Sequence, residues 1–327
     1  MDTEYHRAQA SPERFCGLFL DPTNHTHDEF QKAFGPETAD SVFRSLYRTS
    51  RDDRHYRQIV PEKILCDRDA KKYAFRLRDD RIIETVCIRR RTGTTICLST
   101  QVGCAVRCRF CRSGRQGLIR NLRASEIVQQ LLFADEGVNR IVFMGVGEPL
   151  HNYDEVIRSI RILRDRKGLN FPTDGISIST VGPVGPLASL REEHLKIQLV
   201  LSLHATDQAT RDYLVPGMAG YAINEVVSMA MDYGRRHGRT IEIAYLVLPG
   251  VNDRTEDLDR LIRWFSGKDV VVNLMRYNGE PSADFKAAPR KSLEGFRSRL
   301  ESNEVRATIR KSMGNSIEAA CGQLAIR

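Results

Sequence analysis

Cys104, Cys108 and Cys111 stand in a C-x3-C-x2-C spacing, directly after a β-branched run, Thr94 to Leu98, that reads as a strand. Three thiolates this close in sequence can hold three irons of a cubane [4Fe-4S] cluster and leave its fourth iron without a protein ligand. An iron left open is a place for substrate. Two other chemistries compete. With Cys97 added, four thiolates suffice for a structural zinc site, although zinc usually draws its ligands from two separated pairs rather than from one crowded loop. A disulfide framework is the weaker competitor in a chain of 327 residues that shows no secretory apolar core at its N-terminus.

Further candidate groups recur where extended runs end. Gly145-Val146-Gly147-Glu148-Pro149 follows one such run, Ser179-Thr180 closes another, Ser202-Leu203-His204 a third and Arg276-Tyr277-Asn278 a later one. Glycine allows a ligand to approach the backbone, and Glu148 offers an acceptor for an ammonium group. Each motif alone is weak, since a lone His204 is more often a structural histidine. Their recurrence at successive strand ends favours one shared ligand. Glu84, taken alone, reads as a solvent-facing strand carboxylate. Cys321 in the C-terminal stretch, like Cys16, Cys66 and Cys87, reads from spacing alone as a small buried hydrophobe.

The elements that must position these groups alternate along the chain. Two strands, Lys72 to Arg78 and Ile82 to Ile88, are expected to form a hairpin around Asp79-Asp80. Strands are then expected over 140–144, 175–181, 196–203, 240–248, 270–277 and 305–311. Helices are expected over 125–136, 154–166, 224–237, 255–265 and 290–301. Alternation of this kind argues for a parallel sheet with right-handed crossovers, and about six repeats make an α/β fold, a partial (β/α)6 barrel. Chemistry in such barrels sits where the strands end. Residues 1–66 are expected to form a short, mostly helical accessory piece, with two short helices between His27 and Tyr47 broken at Gly35-Pro36. Residues 67–92 then supply the hairpin, and 93–327 the barrel with its C-terminal cysteine loop.

The formal net charge is +8, and its distribution is informative. No Asp or Glu occurs between Glu84 and Glu126, while Arg89, Arg90, Arg91, Arg107, Arg109, Arg112, Arg115, Arg120 and Arg123 do. A solvated arginine face is the ordinary reading of such a run. Its concentration around a reactive centre favours a polyanionic partner, RNA or a phosphorylated small molecule. No apolar run approaches the roughly 18 residues of a membrane span, so a cytoplasmic protein without a membrane partner is expected.

The cysteine loop resembles that of the radical S-adenosylmethionine (radical SAM) superfamily. The wider set of motifs resembles the Cfr/RlmN family of radical SAM RNA methyltransferases: Thr-Ile-Cys97-Leu-Ser-Thr-Gln-Val-Gly-Cys104, Phe-Met-Gly-Val-Gly-Glu148-Pro-Leu, Ile-Ser-Ile-Ser179-Thr, Leu-Ser202-Leu-His204, Leu-Pro-Gly-Val-Asn-Asp253 and Ala-Ala-Cys321-Gly-Gln-Leu. The resemblance runs from about Lys71 to the end. It implies a [4Fe-4S] cluster on Cys104, Cys108 and Cys111, and S-adenosylmethionine held by Gly147, Glu148, Ser179, Ser202, Leu203, His204 and Asn278. It also reverses the bland readings of two residues. Cys321 becomes the acceptor of a methyl group from a first S-adenosylmethionine, and Glu84 a proton acceptor.

By the same resemblance, a second S-adenosylmethionine yields a radical that removes hydrogen from the S-methyl group. The resulting methylene radical adds to an adenine carbon, and Cys97 resolves the protein–RNA link by forming a disulfide with Cys321. The implied substrate is an adenosine of 23S ribosomal RNA, with tRNA as a further candidate. Carbon 2 and carbon 8 of the ring both stay open, and a flavodoxin-type protein is the implied electron donor. The competing reading keeps this methylation chemistry but applies it to a small molecule or peptide.

Overall fold

The computed structural model describes residues 21–49, 57–134, 137–279 and 285–324. Cys16 and the rest of the first 20 residues of the expected accessory piece lie outside them.

Two short helices open the described chain, α1 (His27–Phe34) and α2 (Pro36–Arg44), separated at Gly35 as expected. Gly35 takes a φ of 83° with Pro36 as the first residue of the next helix, a combination that stops one helix and starts another. Thr26 and Glu29 cap α1 reciprocally. Phe30 and Phe43 are buried with their rings 5.8 Å apart.

Three antiparallel strands follow, β1 (Ile59–Cys66), β2 (Ala70–Leu77) and β3 (Ile82–Arg90). The hairpin is therefore a three-stranded meander, and its first strand falls inside the segment expected to be mostly helical. Pro61 reads in sequence as punctuation. β1 is an edge strand, where proline is tolerated, and its register shifts between Pro61 and Lys63.

β4 (Gly93–Leu98) pairs antiparallel with β3 and parallel with β7 (Val138–Phe143). Between them a small antiparallel pair, β5 (Gln101–Gly103) and β6 (Leu118–Asn121), brackets the cysteine loop. The parallel series continues through β8 (Ile176–Thr180), β9 (Gln198–Ser202), β10 (Ile241–Val247), β11 (Val270–Arg276) and β12 (Arg306–Ile309). The crossovers carry α3 (Ala124–Leu132), α4 (Tyr153–Leu163), α5 (Val184–Glu192), α6 (Gln208–Leu214) with α7 (Ile223–His237), α8 (Thr255–Phe265) and α9 (Arg290–Glu301). Six β/α units thus end on a seventh parallel strand, and the antiparallel meander extends the same sheet to ten strands.

The pattern over 184–214 gave no helices, yet α5 and α6 are there. α5 begins with Gly185-Pro186, which reads as a turn, and buries only Leu187 and Leu190. Neither short helix has a long apolar stripe, so tertiary packing makes them rather than periodicity. Among the described residues no helix is long and apolar enough to cross a membrane.

α3 fixes the strand that feeds the cysteine loop. Its buried Gln130 donates to the Ser99 carbonyl (2.9 Å) and accepts from Ser99 N (2.8 Å) and Thr85 Oγ1 (2.6 Å). One amide therefore locks the end of β4 to β3. A buried amide in this position must find such partners.

Candidate active site

One cavity lies over the strand ends. Cys97, Cys104, Cys108, Cys111, Gly147, Glu148, Ser179, Ser202, His204, Asn278 and Cys321 all line it. The fold thereby brings together eleven of the thirteen residues singled out from the sequence. Glu84 and Leu203 are the exceptions.

The three loop cysteines form no disulfide. Burial pushes Cys104 up to about 12, Cys108 well above the ordinary thiol range and Cys111 upward as well. Thiols so desolvated are held as thiolates only by a cation at the same place. Among the described residues no three His, Cys, Asp or Glu side chains are placed to hold one metal ion. A cubane places each thiolate on a different iron, whereas a single zinc requires its ligands to converge on one point.

Glu148 is only 4% exposed, and both of its carboxylate oxygens accept hydrogen bonds. Oε1 accepts from Thr180 Oγ1 (2.6 Å) and Leu150 N (2.9 Å), and Oε2 from Val181 N (2.9 Å). Burial raises its pKa, and these hydrogen bonds together with the Arg211 charge oppose that rise. Gly147 precedes it with φ 109°, and a Cβ there would stand 2.7 Å from Gln101 Cβ. Close packing against the strand that enters the cysteine loop therefore requires this glycine.

Ser179 and Ser202 face each other with their hydroxyls 3.0 Å apart. His204 takes a φ of 58°, and its Nδ1 accepts from Leu246 N (3.1 Å), which leaves the ring proton on Nε2. Burial, followed by the Arg211 charge, lowers its pKa to about 3, so the ring is neutral at pH 7. Leu203 stands behind this wall: its side chain is wholly buried, and its backbone N–H donates to Ala244 O (3.0 Å).

Arg211, on α6, carries no motif, and the sequence assigned it no role. It is 1% exposed. Nη1 donates to Ser202 O (2.8 Å) and to Leu203 O, and Nη2 to Val181 O (2.6 Å), so one guanidinium ties two strand ends together. Desolvation lowers its pKa to about 10, offset in part by Cys108 and Glu148. Arg211→Met should leave three carbonyls and the Glu148 charge without their cation. A loss of about 3–5 kcal/mol in the denaturant-unfolding free energy is expected. A change under 1 kcal/mol, about the size of an exposed pair, would refute this role.

Cys97 and Cys321 approach the same cavity from elements more than 200 residues apart. Burial first, and then the Cys321 sulfur, push the Cys97 thiol up to about 12, against an opposing pull from Arg310. Arg310 follows β12, and one of its nitrogens lies 3.2 Å from Met144 Sδ. The sequence assigned this arginine no role. The loop bearing Cys321 is anchored through its backbone: Arg112 N donates to Gly322 O (2.9 Å), Ser113 Oγ to Leu324 O (2.8 Å) and Asn278 Nδ2 to Cys321 O (3.3 Å). Ser312 Oγ in turn donates to Asn278 Oδ1 (2.6 Å).

Glu84 is not on the cavity wall. It is buried and ion-paired with Lys72 at 3.1 Å, and the Lys72 ammonium also donates to the Glu318 carbonyl of the C-terminal loop (3.1 Å). Burial with a cation replaces the solvent-facing reading of this carboxylate. Val86, two residues along β3 and on the same face, does line the cavity opposite Cys97.

Residues 98–264 match the radical SAM superfamily. Over 258 residues, 79% of this chain and 72% of the relative, the sequence is 50% identical to a probable RNA methyltransferase of Rhodopseudomonas palustris (strain BisB5). This chain belongs to the Cfr/RlmN family of radical SAM RNA methyltransferases. A probable dual-specificity RNA methyltransferase RlmN of Dictyoglomus turgidum is 38% identical over 269 residues, 80% of this chain and 77% of that one. The crystal structure of a radical SAM methyltransferase from Sphaerobacter thermophilus superposes with a TM-score of 0.86 at 33% identity, covering 92% of this chain and 98% of that one. Membership supplies what the thiol chemistry called for: the family uses a [4Fe-4S] cluster and S-adenosylmethionine. The enzyme is an S-adenosylmethionine-dependent RNA methyltransferase.

Proposed function

We propose that the enzyme methylates carbon 2 or carbon 8 of an adenosine in 23S ribosomal RNA, with tRNA as a further substrate, through an S-methylcysteine at Cys321. The observation that carries this reading is the shared cavity, in which Cys97 and Cys321 line the same space as the three loop cysteines. In this reading Cys104, Cys108 and Cys111 hold the cluster. Gly147, Glu148, Ser179, Ser202, His204 and Asn278 hold S-adenosylmethionine, of which two are used per turnover, and Leu203 backs that wall from behind. The cluster and S-adenosylmethionine together supply a hydrogen-atom abstraction that no side chain can perform.

The chain's own residues do the rest. The Cys321 thiolate takes the sulfonium methyl, forming the S–CH3 bond as the methyl-to-sulfonium bond breaks. After one hydrogen atom is lost from that methyl, its carbon bonds to the adenine ring. The radical adduct gives up one electron to the electron-transfer partner and its ring proton to Glu84, which lies off the cavity wall beside Lys72 and is therefore reached through a proton relay. The Cys97 thiolate attacks the Cys321 sulfur and forms the disulfide as the carbon–sulfur bond breaks; the electron pair stays on the former methylene carbon, which takes up a proton to become the methyl group. Two electrons then restore both thiols, and we assign a flavodoxin-type protein as the electron donor.

The RNA would approach along the arginines of the cysteine loop. Arg107, Arg109, Arg115 and Arg123 are exposed and, among the described residues, meet no carboxylate at ion-pair distance. Arg120, by contrast, is neutralised by Asp79 and Glu126, at 2.7 and 2.8 Å. Unneutralised arginines are the footprint of a phosphate backbone.

Expression in cells that lack their own homologue, followed by mass spectrometry of 23S ribosomal RNA nucleosides, tests the proposal. A new 2-methyl- or 8-methyladenosine fixes substrate and carbon together. No methylated adenosine, from protein that retains its iron and sulfide, would move the reading to a small-molecule or peptide substrate.

A further inference from the structure

Six large apolar side chains are exposed among the described residues: Val60, Ile64, Leu118, Ile119, Tyr213 and Tyr221. Leu118 and Ile119 lie on β6, which closes the cysteine loop, and Tyr213 belongs to the segment packed on that loop. Apolar surface and unneutralised arginine thus share one side of the molecule. A phosphate backbone calls for the charge alone, whereas a splayed-out base also calls for a flat surface.

Such a surface is built at Arg109 and Tyr213. The Arg109 guanidinium carbon sits 4.4 Å over the Tyr213 ring, and Tyr213 is 41% exposed. The backbone holds both in place: Arg109 N donates to Leu214 O (3.0 Å) and Gly217 N to Val106 O (2.8 Å). A Cβ on Gly217 would stand 2.5 Å from Val106 Cα, so the two segments are in backbone contact. Arg109 is exposed and lies between Cys108 and Phe110, both of which line the cavity. Tyr213 is also 6.4 Å from Phe285, which is 5.9 Å from Tyr277 on the cavity wall. A row of rings therefore runs from the surface to the site.

We propose that the Arg109–Tyr213 stack is a nucleobase platform: an unpaired base adjoining the one being methylated lies flat on the outer face of the Arg109 guanidinium, which Tyr213 backs. This inference rests on RNA as the substrate. A planar guanidinium backed by an aromatic ring accepts any base, so the platform supplies affinity and orientation rather than sequence choice.

The test uses anaerobically reconstituted holoenzyme and two probes, a fluorescein-labelled single-stranded oligoadenylate and inorganic polyphosphate, a polyanion without bases. Tyr213→Leu and Arg109→Lys should each weaken oligoadenylate binding about tenfold. The slope of affinity against salt should stay that of the wild type, because neither change removes a charge. Tyr213→Phe should bind as wild type, and polyphosphate binding should be unchanged in all three variants. Wild-type affinity for oligoadenylate in Tyr213→Leu, or equal losses on both probes, would overturn the platform. Wild-type enzyme that binds no oligoadenylate also overturns it. Methylation of ribosomal RNA by that same preparation then tells whether the RNA reading falls with it.

Discussion

Cys321→Ala is expected to abolish RNA methylation while leaving the cluster in place. The alanine lacks the one atom to which a methyl group could be transferred, so the loss should reach at least about 10³-fold, the scale on which deleting a covalent nucleophile acts. Folding should survive. The contacts that pin the loop, from Arg112 N to Gly322 O, from Ser113 to Leu324 O and from Asn278 to Cys321 O, all use backbone carbonyls. Cys104, Cys108 and Cys111 keep their own surroundings on the separate loop between β5 and β6. Iron and sulfide analysis should therefore still return about four of each per chain, alongside unmodified RNA. Methylation near the wild-type rate sinks the carrier role. Loss of iron together with activity would make Cys321 a structural residue instead.

Cys97→Ala should stop the reaction one stage later and trap RNA on the protein. In the proposed sequence the carbon–sulfur bond between adenine and Cys321 breaks only when a second sulfur attacks the first. Without Cys97 the adduct has no outlet. A large yield is expected, approaching one RNA per active chain, seen as a protein band shifted by nuclease-sensitive mass and as an adenosine-bearing Cys321 peptide after digestion. The chemistry of Cys97 suits a thiol that waits. Pushed up to about 12 by burial and by the neighbouring sulfur, it is protonated at pH 7 and a poor nucleophile until the reaction changes its surroundings. Cys87→Ala, also buried in the sheet, serves as the control and should trap nothing. Absence of adduct in Cys97→Ala, with cluster and substrate both competent, would count against the resolving role.

The cysteine triad was legible in the sequence because its members are separated by only three and two residues, and local spacing survives any fold. The strand-end motifs were legible for a similar reason: in a parallel barrel every strand ends on the same side, so polar residues at the ends of successive apolar runs must meet. Gly147, Glu148, Ser179, Ser202, His204 and Asn278 could be gathered on one ligand before any coordinate was known. The helices α1 to α4 and α7 to α9, which serve five of the six crossovers, were readable from hydrophobic period. α5 and α6 were not, because the sheet and the cysteine loop make them helical. β1 was missed because Pro61 marks an edge strand as readily as a turn.

What only the tertiary structure decided concerns charge and long-range pairing. Nothing local says that Arg211 is buried, since an arginine in a short helix normally faces water; its burial follows from three carbonyls converging where two strands end. Arg310, against Met144, takes its place beside Cys97 and Cys321 only when β12 closes the parallel series. Glu84 and Lys72 lie on adjacent strands, but their burial as an ion pair depends on the C-terminal loop folding over them and lending the Glu318 carbonyl. Likewise, spacing and pattern do not bring Cys97 and Cys321 together, and only the family resemblance implied their pairing. Spacing carries information over a turn or two of chain, whereas the approach of sulfurs more than 200 residues apart is fixed by sheet order and by the loop contacts that the whole fold provides.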